Sequence, residues 1–159
     1  MKIFKKSFVL FVAILFITNC GFKVLDKSQL QNLRIESLET SGDKKTSFYI
    51  KTHLQKYFNS NENGERIFLI VKNKKTKTIK EKNFKNQIKK YEINLNTNTS
   101  INYLDKIKNK NFTTSVKGGY DVSDNHSTTI NNQNNLEENL AKKSADLIVK
   151  EIILKINDN

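Results

Sequence analysis

The residue pattern predicts an α+β fold. It is a two-layer sandwich in which a sheet of about four strands carries two helices on one face, in the order β-α-β-β-β-α. Three observations carry this. Tyr91, Ile93, Leu95, Thr97, Thr99, Ile101 and Tyr103 alternate with Glu92, Asn94, Asn96, Asn98, Ser100 and Asn102. A period of two over that length puts one set on a core and the other in water. Phe112, Thr114, Val116, Gly118 and Tyr120 repeat the pattern, and two other segments carry apolar stripes at helical spacing.

Leu33, Ile35 and Leu38 mark a first short strand. From about Lys44 to Asn59, Ile50, Leu54, Tyr57 and Phe58 form an amphipathic helical stripe, with Asp43 placed to cap the first-turn amides. Asn61-Glu62-Asn63-Gly64 reads as the turn that ends it. Ile67 to Val71 is a continuous apolar run, as in a strand covered on both faces. The lysine-dense stretch Lys72–Lys90 reads as an exposed strand extension plus loop. The two alternating runs should then pair as an antiparallel hairpin across Leu104–Asn111, with lysines at the edges discouraging aggregation. Gly118-Gly119 marks a bulge or a close approach. Asp121 to Asn134 reads as a polar loop, and Asn135-x-x-Glu138 as a capping box for a closing helix. Leu136, Leu140, Leu147, Ile148, Ile152 and Ile156 form its stripe, with Lys150 and Lys155 near its C-terminus, where positive charge suits the helix dipole.

Ahead of this domain lies an export signal. Lys2, Lys5 and Lys6 form a positive start, Phe8 to Ile17 is an unbroken apolar run, and Ile17-Thr18-Asn19-Cys20 follows. The run is about half the roughly 20 residues that a membrane-spanning helix needs. Cys20 is the only cysteine of the 159 residues, so an internal disulfide is excluded. The reading that uses it is a lipoprotein: residues 1–19 are the signal peptide, Cys20 carries a diacylglycerol and an acylated N-terminus, and residues 20–32 form a tether. Asn19 is larger than the small residue usually found before such a cysteine, so an ordinary cleaved signal and an uncleaved anchor stand as alternatives. Gly21, in place of an acidic residue, points to the outer membrane. Residues 33–159 then form one α+β domain, long enough to bury a core without disulfides.

The formal charge of +12 falls by three, to +9, when Lys2, Lys5 and Lys6 leave. A basic domain suits acidic partners: nucleic acid, anionic lipid or a phosphorylated glycan. The charge is almost all lysine, however, with only Arg34 and Arg66 as arginines. Lysine is the weaker choice for bidentate phosphate recognition, and Lys, Asn and Ile are what A·T-rich codons supply.

No catalytic residues emerge. His126 and Ser127 near Asp121 and Asp124 imitate a triad, but triad members are assembled by a fold from distant segments. His53 and His126 are far apart, which gives no zinc spacing and no metal site. No cofactor is expected beyond the covalent lipid on Cys20. Tyr91 and Tyr103 could in principle stack bases, but they share a face with Ile and Leu, and export removes nucleic acid as a partner. A non-enzymatic binding or assembly module is left.

Three segments in this order resemble the LptE family of lipopolysaccharide-assembly lipoproteins. Cys20-Gly21-Phe22-Lys23 is similar to that family's Cys-Gly-aromatic opening. Phe84-Lys85-Asn86-Gln87, followed by Tyr91-Glu92-Ile93-Asn94-Leu95, is similar to its turn into a tyrosine-led strand. Leu140 to Ile148 resembles its closing helix, so the resemblance spans Cys20 to about Ile156. It implies a plug-like lipoprotein of the outer membrane, partner of an LptD-like β-barrel in lipopolysaccharide transport and assembly. It also implies a lipopolysaccharide-binding basic residue at Lys85, supported by Lys89 and Lys90. The bland reading of those lysines is an exposed charged segment. A second basic position of the family, in the loop before the last helix, has no match in Asn125–Asn134. The rival function is a generic outer-membrane lipoprotein that binds another anionic envelope ligand.

Overall fold

A computed structural model describes residues 30, 33–58, 64–104 and 109–157. The signal peptide, Cys20, nearly all of the tether and the expected turn at Asn61–Asn63 lie outside the described residues. Six elements follow in order: β1 (Leu33–Ser41), α1 (Lys44–Gln55), β2 (Glu65–Lys82), β3 (Ile88–Tyr103), β4 (Asn109–Asp121) and α2 (His126–Asn157). The expected order and class are what forms.

The strands make one mixed sheet in the order β1-β2-β3-β4. β1 runs parallel to β2, with α1 as the crossover that a parallel pair requires. β2, β3 and β4 are antiparallel neighbours. Both helices lie on one face. Between them and the sheet sits the core: Ile67, Leu69, Val71, Ile93, Leu95 and Ile101 from the strands, Ile50 and Leu54 from α1, and Leu140, Ala145, Ile148 and Ile152 from α2. Asp43 caps α1 as expected, accepting from the Thr46 amide at 3.0 Å. Gly42 turns β1 into α1 at φ 113°, where a Cβ would sit 1.9 Å from the Asn73 carbonyl oxygen, so no side chain fits.

Three expectations need correction. First, α2 begins at His126 instead of Asn135, and its cap is Asn125. The Asn125 side chain accepts from the amides of Ser127 (2.8 Å) and Thr128 (3.3 Å). The opening turns carry no apolar stripe because they are exposed, Ile130 included, so hydrophobic periodicity has nothing to register there. Second, the Ile67–Val71 strand is covered on one face only. Phe68 and Ile70 are half-buried on the side that carries no helix. Third, Lys72–Lys90 is mostly strand. β2 runs to Lys82, and Lys89 and Lys90 belong to β3. Within it Asn73 is buried, and Lys75 is half-buried against α1 and α2. Of the two readings of Gly118-Gly119, the close approach is the one that holds, since the pair keeps regular register with Ile93 and Glu92. Gly118 is a close approach: a Cβ there would lie 2.7 Å from a Leu136 methyl.

Candidate functional site

Two surfaces and one buried network are the places where this fold gathers polar chemistry. The largest surface is the uncovered face of the sheet. Because side chains alternate, the residues between the core positions of β2, β3 and β4 all emerge on it. Cross-strand register aligns them in rungs: Lys72, Asn98 and Thr113; then Lys74, Asn96 and Ser115; then Thr76, Asn94 and Lys117. The Thr113 hydroxyl donates to the Asn98 side chain at 2.9 Å, and Ser115 to Asn94 at 3.2 Å. Those bonds orient the Asn98 and Asn94 amides on the face.

The second surface is the β2–β3 turn, Asn83–Gln87. The Asn83 side chain accepts from the amides of Lys85 (3.0 Å) and Gln87 (2.9 Å) and donates to the Gln87 side chain at 2.8 Å. Asn86 takes the left-handed conformation at φ 63°, which asparagine tolerates better than most residues. Lys85 is exposed on this turn, and Lys89 is exposed just beyond it, between the Ile88 and Lys90 pairs. Lys90 behaves differently. It lies opposite Asp121 in the β3–β4 register and pairs with its carboxylate at 3.1 Å. Register shifts around Lys80 and Lys89 also break the alternation here. The three lysines expected to act together are therefore close in sequence, but one of them is already engaged.

The buried network was not legible in the sequence. Glu137 of α2 is 2 % exposed, yet it meets Lys75 of β2 at 3.2 Å and Lys45 of α1 at 3.4 Å and accepts from Gln133 at 2.9 Å. Lys75 also reaches the Asp43 cap at 3.0 Å. Asn73 joins the same site: it accepts from Thr46 (2.9 Å) and donates to Ser47 (2.6 Å) and to the Ser41 carbonyl (2.8 Å). Burial pushes the Glu137 and Asp43 carboxyls up. The hydrogen bonds from Gln133 and Lys75 to Glu137, and from Thr46 and Lys75 to Asp43, outweigh it and hold both below their ordinary values. Burial likewise pushes Lys75 down, but its two carboxylate partners leave it above its ordinary value. All three groups are thus held charged, and the network's chemistry is that of a clamp joining β2 to both helices. An i to i+4 reading of α2 could have flagged Gln133 and Glu137, since they precede Ala141 and Ser144 on one side of the helix.

The remaining candidates have structural partners. His53 lies 3.0 Å from Asp146 of α2, beside the Tyr57 ring. Tyr57 donates to the same carboxylate at 2.5 Å, and that bond raises its hydroxyl to about 12. Asp121 is paired with Lys90, and the Ser127 amide is used in capping. Tyr91 stacks on Tyr120 at 5.6 Å beneath Lys77, whose ammonium lies 4.0 Å from the Tyr91 ring centre. Tyr91 and Tyr103 both pack against the core as partly buried residues. Among the described residues no helix is long and apolar enough to cross a membrane.

With this geometry in view, the fold can be matched to solved structures. Rare lipoprotein B from Shewanella oneidensis superposes with a TM-score of 0.61 at 12 % identity, over 79 % of this chain and 97 % of that one. A Caulobacter crescentus CB15 protein assigned as a lipoprotein gives 0.59 at 12 % identity, over 83 % of this chain and 95 % of that one. The likeness establishes the fold. At the level of sequence no family model matches the chain, and no curated protein matches it.

Proposed function

We propose that the mature chain is an outer-membrane lipoprotein, anchored through Cys20, that seats in an LptD-like β-barrel and serves lipopolysaccharide transport and assembly without enzymatic activity of its own. The observation that carries this reading is the uncovered sheet face. A sheet needs a second layer when both its faces are apolar. Here one face is covered by helices, while the other presents Asn94, Asn96, Asn98, Ser100, Thr113 and Ser115. Such a face suits a wet, polar wall, and the lumen of an outer-membrane barrel is polar. Support also comes from a fold shared with proteins that bear lipoprotein names, and from the lipoprotein-type signal before Cys20. A lipid anchor would confine the domain to the leaflet where the barrel opens, raising its effective concentration there. Lys85, Lys89 and Lys90 are the lysines assigned to lipopolysaccharide phosphates in this reading.

One observation favours the rival, a generic outer-membrane lipoprotein for another anionic ligand: Lys90 is held by Asp121, so the turn offers diffuse positive charge more than a converging site. Affinity purification of the tagged full chain from native outer membranes separates the two. Recovery of a folded β-barrel in one-to-one ratio is expected. Recovery of the chain as a free monomer, in detergent that keeps barrels folded, would reject the partnership.

A further inference from the structure

The edges of the sheet are not protected alike. Among the described residues β1 pairs only with β2, so its other side is an open edge along Leu33–Ser41. Lysines stand along the exposed part of β2 and on the opposite edge strand β4, at Lys110 and Lys117, where they hinder pairing with another strand. β1 has none. Its one irregularity is a bulge at Glu36: Ile35 pairs with Ile67, and Ser37 pairs with the next residue, Phe68. Grooves flank this edge on both faces. The groove on the helix side is walled by Ile35, Glu36 and Leu38 of β1 with Lys51, Gln55 and Phe58. The groove on the uncovered side is walled by Ser37 and Glu39 with Phe68, Ile70 and Asn102. An added strand places alternate side chains in two such grooves while its backbone bonds to the open edge. Phe48, 64 % exposed, stands three residues before Lys51 and seven before Gln55, so it extends the helix-side groove along the same flank of α1.

We propose that the occupant of this edge is a second copy of the chain, paired antiparallel along β1 about a two-fold axis at Ser37. Complementarity favours that occupant. Counting around the bulge, the axis sets Ile35 opposite Leu38 of the second copy, Arg34 opposite its Glu39, and Leu33 opposite its Thr40. The faces agree as well. Ile35, Leu38 and Thr40 are in register with the core residues Ile67, Leu69 and Val71, whereas Arg34 and Glu39 are in register with Arg66 and Ile70 on the uncovered side. Apolar therefore meets apolar twice, and arginine meets glutamate twice. An axis one rung away, at Leu38, would set Arg34 opposite Ser41 and lose both charge pairs. Within one copy Arg34 lies beside a like charge, Arg66, and its ion pair is with Glu36 of its own strand at 3.4 Å. Glu39 makes no ion pair among the described residues, so each of the two has a use for the other across the axis. A two-fold contact of this kind closes after two copies, which ends the open edge in a dimer instead of a fibre. The pairing is independent of the barrel partnership, which uses the polar part of the uncovered face.

Sedimentation equilibrium of the purified full chain in density-matched detergent should show a dimer. Arg34→Glu and Glu39→Arg should each raise its dissociation constant about tenfold, because each sets like charges opposite one another at two symmetric places. Combined, the two substitutions should restore the affinity of the unsubstituted chain. Ser37→Cys adds a thiol at the axis, where opposed Cα atoms lie about 4.5–5.5 Å apart, within disulfide reach, so mild oxidation should give a covalent dimer. Ser41→Cys, four rungs from the axis, would stand roughly 27 Å from its copy and should run as a monomer on a denaturing gel. A chain that stays monomeric at every concentration would overturn the proposal, which is also the result if residues 20–32 or another protein's strand covers the edge. So would crosslinking through Ser41 equal to that through Ser37, or a double charge variant that dimerises no better than the single ones.

Discussion

Along β2 and β3 the same two strands behave in opposite ways at their two ends. Between Ile67 and Val71, β2 turns Ile67, Leu69 and Val71 inward to 0 % exposure, opposite Ile101 and Thr99 of β3 and under both helices. Between Lys74 and Lys82 no residue of β2 is buried. Opposite Lys75 and Lys77, Leu95 and Ile93 of β3 are still buried, but from Thr78 to Lys82 the β3 partners, Glu92 to Ile88, are not. β1 stops at its pairing with Lys72, so from Asn73 onward β2 is an edge strand. Its lysines there are the usual protection of such an edge against pairing with another chain. The difference locates stability at one end of the hairpin and contact chemistry at the other. A clamp of Asp43, Lys75 and Glu137 marks the boundary between them.

That comparison breaks most visibly if the core end is not where stability lives. Leu69→Ala or Ile101→Ala removes a fully buried side chain and should cost about 2–5 kcal/mol in denaturant unfolding. A loss below about 1 kcal/mol would mean that the helix-covered end is not a packed core. The boundary comes next. Glu137→Gln removes the carboxylate that Lys75 shares with Asp43 and that Lys45 meets, and about 1–2 kcal/mol of destabilisation is expected from the lost charge-assisted bonds. A loss below about 0.5 kcal/mol would mean that Glu137 does not tie β2 to the helices.

The same clamp sets a pH dependence. Glu137 and Asp43 have folded values below their ordinary 4.5 and 3.8. The unfolded chain therefore binds more protons in that range, and stability rises with pH there. Their contribution is complete above about pH 4.5 and is lost as pH falls through the lower, folded values. Lys75 and Tyr57 act in the other direction, since both are raised. Their contribution is present below about pH 10 and fades as pH climbs through their folded values, which for Tyr57 means about 12. Thermal melts between pH 3 and 7 should steepen below about 4.5 in the native chain. They should flatten in Glu137→Gln. An identical acid limb in both would remove Glu137 from the clamp.

The smallest effect on stability should come from the exposed end. Changing Lys85, Lys89 and Lys90 together to Glu should shift stability by about 0.5 kcal/mol per exposed site or less, with Lys90 the most costly because it faces Asp121. Lipopolysaccharide binding should nonetheless weaken, and the binding of the unsubstituted chain should fall as salt rises. Lys142 and Lys143 on α2 provide the control. Equal losses from both clusters would mean diffuse attraction instead of a site.

How much of this was legible beforehand depended on periodicity. The alternation from Tyr91 to Tyr103 specified β3, its buried face and its polar face together, because each residue type recurs at a spacing of two. Asp43 was legible as a cap because its partner lies three residues away. What escaped was whatever depended on contacts between distant segments. Glu137 and Lys75 look like surface charges until a helix and a strand 62 positions apart are brought together. The start of α2 at His126 escaped because Asn125 caps a stretch with no apolar stripe to announce it. Lys90 looked like a partner of Lys85 until cross-strand register placed Asp121 beside it.

The central claim, that the uncovered face meets the polar wall of a barrel, is tested most directly by photo-crosslinking in living cells. A photoreactive residue at Asn96, on the middle rung of that face, should yield an adduct with a heat-modifiable outer-membrane β-barrel protein. Its abundance should follow that of the barrel when the barrel is depleted. Adducts to soluble periplasmic proteins alone, or an uncrosslinked monomer in cells where the barrel is abundant and folded, would contradict the account.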